Sequence, residues 1–100
     1  MNSKNPKITV ENINTPGKTS RVDAPKYTDM RDAMMQVLPN QAPGLSHAEI
    51  KEGVKPLLDQ ELFPGGKTSG WWSKTVQLDL EAKGVITRNK AKPLRWYRPG

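Results

Sequence analysis

The sequence predicts an α+β domain of winged-helix type: three helices, a C-terminal two-stranded wing, and a short N-terminal β-hairpin or arm. Three observations carry this prediction. Trp72, Val76 and Leu80 recur at helical spacing and are followed by Lys83-Gly84, a cation and then a residue that tolerates positive φ, which together end a helix. Val85 to Arg88 and Leu94 to Tyr97 are rich in β-branched and aromatic residues and flank the polar break Asn89 to Pro93. Two further helical patterns precede them, which gives the order helix, helix, helix, strand, strand.

From the start of the chain, Met1 to Lys7 is polar and expected to fray, so the single domain is placed at residues 8–98. Ile8, Val10 and Ile13 alternate weakly as in a short strand. Asn14-Thr15-Pro16-Gly17 is turn chemistry, and Thr19 to Val22 returns as a second strand. Asp23 is placed to cap the first helix, with Pro25 in its opening turn. Tyr27, Met30, Met34, Val37 and Leu38 give that helix its apolar face, and Pro39 stops it. Ser46-His47-Ala48-Glu49 is a capping box for the second helix. Its apolar set is Ala48, Ile50, Val54, Leu57 and Leu58. Gly53 and Pro56 weaken it, and its end is expected near Asp59. Leu45 lies where a winged helix places a one-bridge strand against the wing. In the loop from Gln60 to Ser69, Leu62 and Phe63 are the expected anchors, and Ser69 the expected cap of the third helix.

Charge gives the clearest functional signal. The formal net charge is +6, and it is not spread evenly. As far as Gly66, basic and acidic side chains balance. From Lys67 onward the bases are Lys67, Lys74, Lys83, Arg88, Lys90, Lys92, Arg95 and Arg98, against only Asp79 and Glu81. A basic stripe confined to one helix and one ribbon is the footprint of a polyanion binder. Lys67, Thr68, Ser73, Lys74 and Gln77 are expected on the loop and outer face of the third helix, with types that donate to phosphates, and Gln77 also suits an adenine edge. Arg88, Lys90, Lys92 and Arg95 put charge along the wing. The alternative is a solvated polar face, and Asp79 and Glu81 would repel phosphate if they shared it. Trp72 is assigned to the core. Trp71, about 100° away around the helix, is either packed or an exposed interface residue. Trp96 and Tyr97 point to opposite strand faces.

Catalytic patterns are weak. Gly66-Lys67-Thr68 lacks the glycine a phosphate loop needs five positions earlier, where Glu61 stands; Gly17-Lys18-Thr19 fails likewise at Asn12. His47 is the only histidine and is expected to be exposed beside a helix cap. With no cysteine, a thiol-based metal site and a disulfide framework are excluded. The carboxylates are scattered. The expectation is therefore a non-enzymatic, cytoplasmic protein with no cofactor. There is no apolar run of membrane-span length.

Several segments are familiar: Val10-Glu11-Asn12, Arg21-Val22-Asp23-Ala24, Leu62-Phe63-Pro64-Gly65, Gly70-Trp71-Trp72 and Lys92-Pro93-Leu94-Arg95-Trp96. Through these the chain resembles a family of small bacterial proteins of unknown function. The resemblance implies a winged-helix-like domain without an established activity, and it transfers no functional residues. The expected partner is nucleic acid, in the first instance duplex DNA. A protein partner engaged through Trp71 is the alternative.

Overall fold

The computed structural model describes residues 6–90 and 92–99. It is α+β: an N-terminal hairpin, three helices, and a small antiparallel sheet. The hairpin pairs β1 (Lys7–Glu11) with β2 (Thr19–Asp23), in the register Ile8 to Val22 and Val10 to Ser20. Alternation buries Val10 and Val22 against the core. Gly17, at φ 88°, helps turn the chain between them. Lys7 already belongs to β1, and the Pro6 carbonyl accepts from the Ala24 amide at 3.0 Å. The rest of the polar start, Met1 to Asn5, lies outside the described residues.

Helix α1 (Ala24–Val37) follows β2 directly. The Asp23 carboxylate accepts from the Lys26 amide at 3.0 Å, with Pro25 in the first turn. Tyr27, Met30, Ala33 and Met34 form its buried face, and the chain turns extended at Leu38 before Pro39. The chain's C-terminal end closes this helix from outside: Arg98 Nε donates to the carbonyls of Met35 (2.9 Å) and Leu38 (3.1 Å).

β3 (Leu45–Ser46) leads into α2 (His47–Val54), which opens on the expected capping box. The Glu49 amide donates to Ser46 Oγ at 3.2 Å, and the Ser46 amide to Glu49 Oε1 at 2.9 Å. This helix ends earlier than its apolar pattern suggests. Pro56 has no N–H to donate back along the helix, so Lys55–Leu57 tighten into a 3₁₀ turn. Leu57 is exposed there, and Leu58, in extended backbone, is buried instead. The following loop is organised by Asp59, whose carbonyl accepts from Leu62 and Phe63 and whose carboxylate accepts from Glu61. Phe63 is driven fully inside and Leu62 packs beside it, as anticipated.

Helix α3 (Ser69–Ala82) is the central element, packed on α1, α2 and β1. Trp72, Val76 and Leu80 are buried as expected, but so are Ser69, Ser73, Gln77, Leu78 and Asp79. Its cap position is Thr68, at φ 62°, not Ser69. The Thr68 hydroxyl donates to the Lys67 carbonyl at 2.6 Å, so no side chain caps the first amides. The far end closes on Gly84, at φ 76°. The Gly84 amide donates to the Glu81 carbonyl and the Val85 amide to Leu80, the paired bonds of a Schellman motif.

The ribbon β4 (Thr87–Asn89) and β5 (Arg95–Tyr97) is shorter than its apolar pattern, because the amides of Val85 and Ile86 are still engaged with the Leu80 carbonyl. β5 is central in the sheet order β3-β5-β4, with Trp96 opposite both Leu45 and Arg88. Trp96 points into the core and Tyr97 the other way.

A buried carboxylate fixes the arrangement. Asp79 is 0% exposed. It accepts a short hydrogen bond from the Tyr27 hydroxyl, another from the Glu11 amide at 2.8 Å, and pairs with Lys83 Nζ at 2.9 Å. Burial first, and then the bond to Asp79, push the Tyr27 hydroxyl well above its ordinary 10.

Asp79→Ala strands three donors and should cost about 3–5 kcal/mol in urea unfolding. Tyr27→Phe, removing one bond to a charged group, should cost about 1.5–3 kcal/mol. An Asp79→Ala variant as stable as the wild type would exclude this role. At Gly44 (φ 89°) an added Cβ would lie 2.1 Å from the Trp96 carbonyl oxygen, whereas at Gly17 it meets nothing within 4 Å. Gly17→Ala should therefore cost only the left-handed backbone term, about 1–2 kcal/mol, and Gly44→Ala distinctly more. The Glu49 carboxyl is held below its ordinary 4.5, chiefly by the Ser46 amide and then by Arg95. Stability from this lowered carboxyl is complete above the unfolded value and lost as pH falls through the folded one. Glu49→Gln, which keeps a capping side chain, should flatten that part of the acid unfolding profile.

Candidate nucleic-acid interface

Ten residues were expected at an interface, and folding sorts them into three groups. Ser73 and Gln77 are excluded from it. Both are fully buried, not on the outer face of α3. With Ser69 they form a row at four-residue spacing beside the Trp72, Val76 and Leu80 stripe, so the buried face of α3 is wider than its apolar residues indicate. The Ser73 hydroxyl donates to the Gly70 carbonyl at 3.0 Å. Gln77 Oε1 is 2.9 Å from His47 Nδ1. His47, expected to be exposed, is therefore half-buried and bonded across to α3.

Arg88 and Arg95 hold the ribbon in place. Arg88 pairs with Glu81 at 2.8 Å and lies over the Trp96 ring, 5.6 Å from its centroid. Glu81 also accepts from Trp96 Nε1 at 3.2 Å. Arg95 donates to the Gly44 carbonyl at 3.2 Å and pairs with Glu49 at 2.9 Å. Both guanidiniums are half-buried. Their charge is spent largely within the fold.

Lys67, Thr68, Trp71, Lys74, Lys90 and Lys92 are exposed. Among the described residues none of these four lysines has an ion pair. The two acids that threatened the interface are taken inward instead, Asp79 to Lys83 and Glu81 to Arg88. The net positive charge of the C-terminal third is thus carried outward by lysines. Lys67, Thr68, Trp71 and Lys74 mark the start of α3, where no side chain caps the helix and the first turn has no acid. Lys90 and Lys92 lie on the turn of the ribbon, which is rooted by Glu81 at the other end of α3.

One feature of the site was not legible in the sequence. The hairpin lies beside α3, and the two enclose a groove of about 490 Å³ whose walls include Asn12, Thr15, Lys18 and Ser20 from the hairpin and Trp71, Lys74 and Thr75 from the helix. Pattern predicts a hairpin but not where it docks. The signal for docking was Asp79 itself, a lone acid between Leu78 and Leu80 beside the buried stripe.

Among the described residues, no group of three His, Cys, Asp or Glu side chains is placed to hold a metal ion, and no helix is long and apolar enough to cross a membrane. No curated protein and no solved structure matches the chain significantly. One family model does, over residues 7–96, from the first residue of β1 into the last strand of the ribbon, and the chain accordingly belongs to that family, the family of unknown function DUF6958.

Proposed function

We propose that this protein is a nucleic-acid-binding domain of winged-helix type that engages duplex DNA through the start of α3 and the ribbon as a wing. The element order supports the fold reading: after the N-terminal hairpin come a helix, a two-residue strand, two helices and a two-stranded ribbon, with β3 paired to β5. The observation that carries the functional reading is the sorting of charge. Asp79 and Glu81 are neutralised internally while Lys67, Lys74, Lys90 and Lys92 stand exposed without ion pairs among the described residues. The segment between α2 and α3, residues 55–68, is longer than a tight helix-turn-helix turn. That favours backbone contact over deep groove reading, and the burial of Gln77 removes the side chain best suited to a base edge. The reading is of a cytoplasmic protein without catalysis. A second reading, a protein-interaction domain, draws on Trp71, which is 58% exposed.

Titration of labelled mixed-sequence duplex at several salt concentrations tests this. Four lysines on phosphates predict a log–log slope of roughly −3 to −4. Lys74→Ala and Lys90→Ala should each reduce the slope by about 1. Absence of binding at low salt would refute the reading, because the non-specific electrostatic component is strongest there. A partner whose capture depends on Trp71 and ignores the lysines would support the second reading instead.

A further inference from the structure

Apart from Lys74, the groove between the hairpin and α3 is lined by residues that the duplex reading leaves without a role. Trp71 stands at its wall with more than half of its surface open. The indole is held from behind. It meets Trp72 edge-on at 5.1 Å and 82°, and Trp72 in turn meets the fully buried Phe63 at 6.2 Å and 82°. An exposed aromatic braced by a core ring that is itself seated on a second one is a rigid platform, so little conformational freedom is lost when a flat partner stacks on it. Lys74, one turn along α3, and Lys18, from the hairpin, put two cations on the groove walls. Thr15, Ser20 and Thr75 add hydroxyl donors. Glu11 is the one acid among the described lining residues.

An aromatic face, two cations and several hydroxyls match a flat heterocycle flanked by phosphates. The bases of a duplex are stacked on one another and offer no free face. Those of a single strand do. The volume, about 490 Å³, falls within the ~300–1,000 Å³ of pockets that enclose small ligands, which suits an unstacked nucleotide and not a double helix.

We propose that this groove is a single-strand subsite: an unpaired nucleotide stacks its base on Trp71 while the flanking phosphates lie on Lys74 and Lys18. The proposal rests on the nucleic-acid reading above and names a second form of substrate for it. It assigns a role to Lys18, which lies outside the basic C-terminal third, and makes the hairpin one wall of the site.

The full chain is titrated with labelled oligothymidylate and, separately, with a duplex carrying the same number of phosphates, both at low salt. Trp71→Ala should weaken single-strand binding about 5- to 150-fold, the range for loss of one base–aromatic stack, and weaken duplex binding, which has no free base face to stack, by a smaller factor. Trp71→Phe should retain most of the single-strand affinity. Lys18→Glu, on the opposite wall, should weaken the single strand more than the duplex. Trp71 is exposed, so its removal should leave the unfolding midpoint nearly unchanged; if it does not, Lys18→Glu alone decides. Single-strand affinity insensitive to both variants, with duplex binding intact, overturns the subsite and leaves the duplex reading standing. Single-strand binding that depends on Trp71 and Lys18, with no duplex binding, supports the subsite and overturns the duplex reading. No binding of either oligomer overturns both.

Discussion

The carboxylate of Asp79 is the point on which the tertiary arrangement turns. A buried carboxylate is several kcal/mol unfavourable unless its oxygens are matched by donors. Here the donors come from three places: the Tyr27 hydroxyl on α1, the Glu11 amide on β1, and the Lys83 ammonium one turn along α3. Satisfying that one group therefore sets several positions at once. The hairpin must bring its backbone to the C-terminal half of α3, and α1 must cross where its tyrosine reaches. Apolar burial of Val10, Val22, Met30, Met34 and Val76 supplies most of the driving force, but it is indifferent to small slips in register. The carboxylate is not, because a slip would leave donors and acceptors buried without partners.

Glu81 plays a related part for the ribbon. It lies two residues beyond Asp79, about 200° around the helix, and so faces a different neighbour. It collects Arg88 from β4 and the Trp96 indole N–H from β5. Arg95 then ties β5 to the start of α2 through Glu49 and the Gly44 carbonyl. The hairpin and the ribbon are thereby fixed to the last turns of one helix by its only two acids. The same contacts that build the fold strip negative charge from its surface.

Much of this architecture was legible in the chain because it is local. The Asp23 cap, the Ser46–Glu49 capping box, the Gly84 stop and the Trp72, Val76, Leu80 stripe each depend on residues within a turn or two of one another. What was not legible depends on distant partners. Ser73 and Gln77 are polar by type, and only the approach of α2, with His47 at its start, makes their face an interior one. Ser69 is a good capping residue, yet it is drawn inside and the cap position falls to Thr68. Arg88 and Arg95 counted as wing charge until their acids, seven and forty-six residues away, were placed. Lys67, Lys74, Lys90 and Lys92 are exposed for the opposite reason: a lysine with no neighbour to pair with stays where its charge is hydrated.

The docked hairpin also limits how α3 can meet any ligand. Residues 76–80 are buried, so α3 is open at its start, around Trp71 and Lys74, and again only in its last residues, Glu81 and Ala82. The ribbon springs from the opposite end. From Lys74 to Gly84 the axial rise is about 15 Å at 1.5 Å per residue. A compact anion could neutralise one end or the other. Under the proposed reading, a chain of phosphates would reach from Lys67 and Lys74 at one end to Lys90 and Lys92 at the other. The spacing of the charges, and not their number, is therefore what favours an extended polyanion over a small one. Because Asp79 holds the hairpin in place, the exposed surface of α3 is limited to its two ends and to the groove that the hairpin creates.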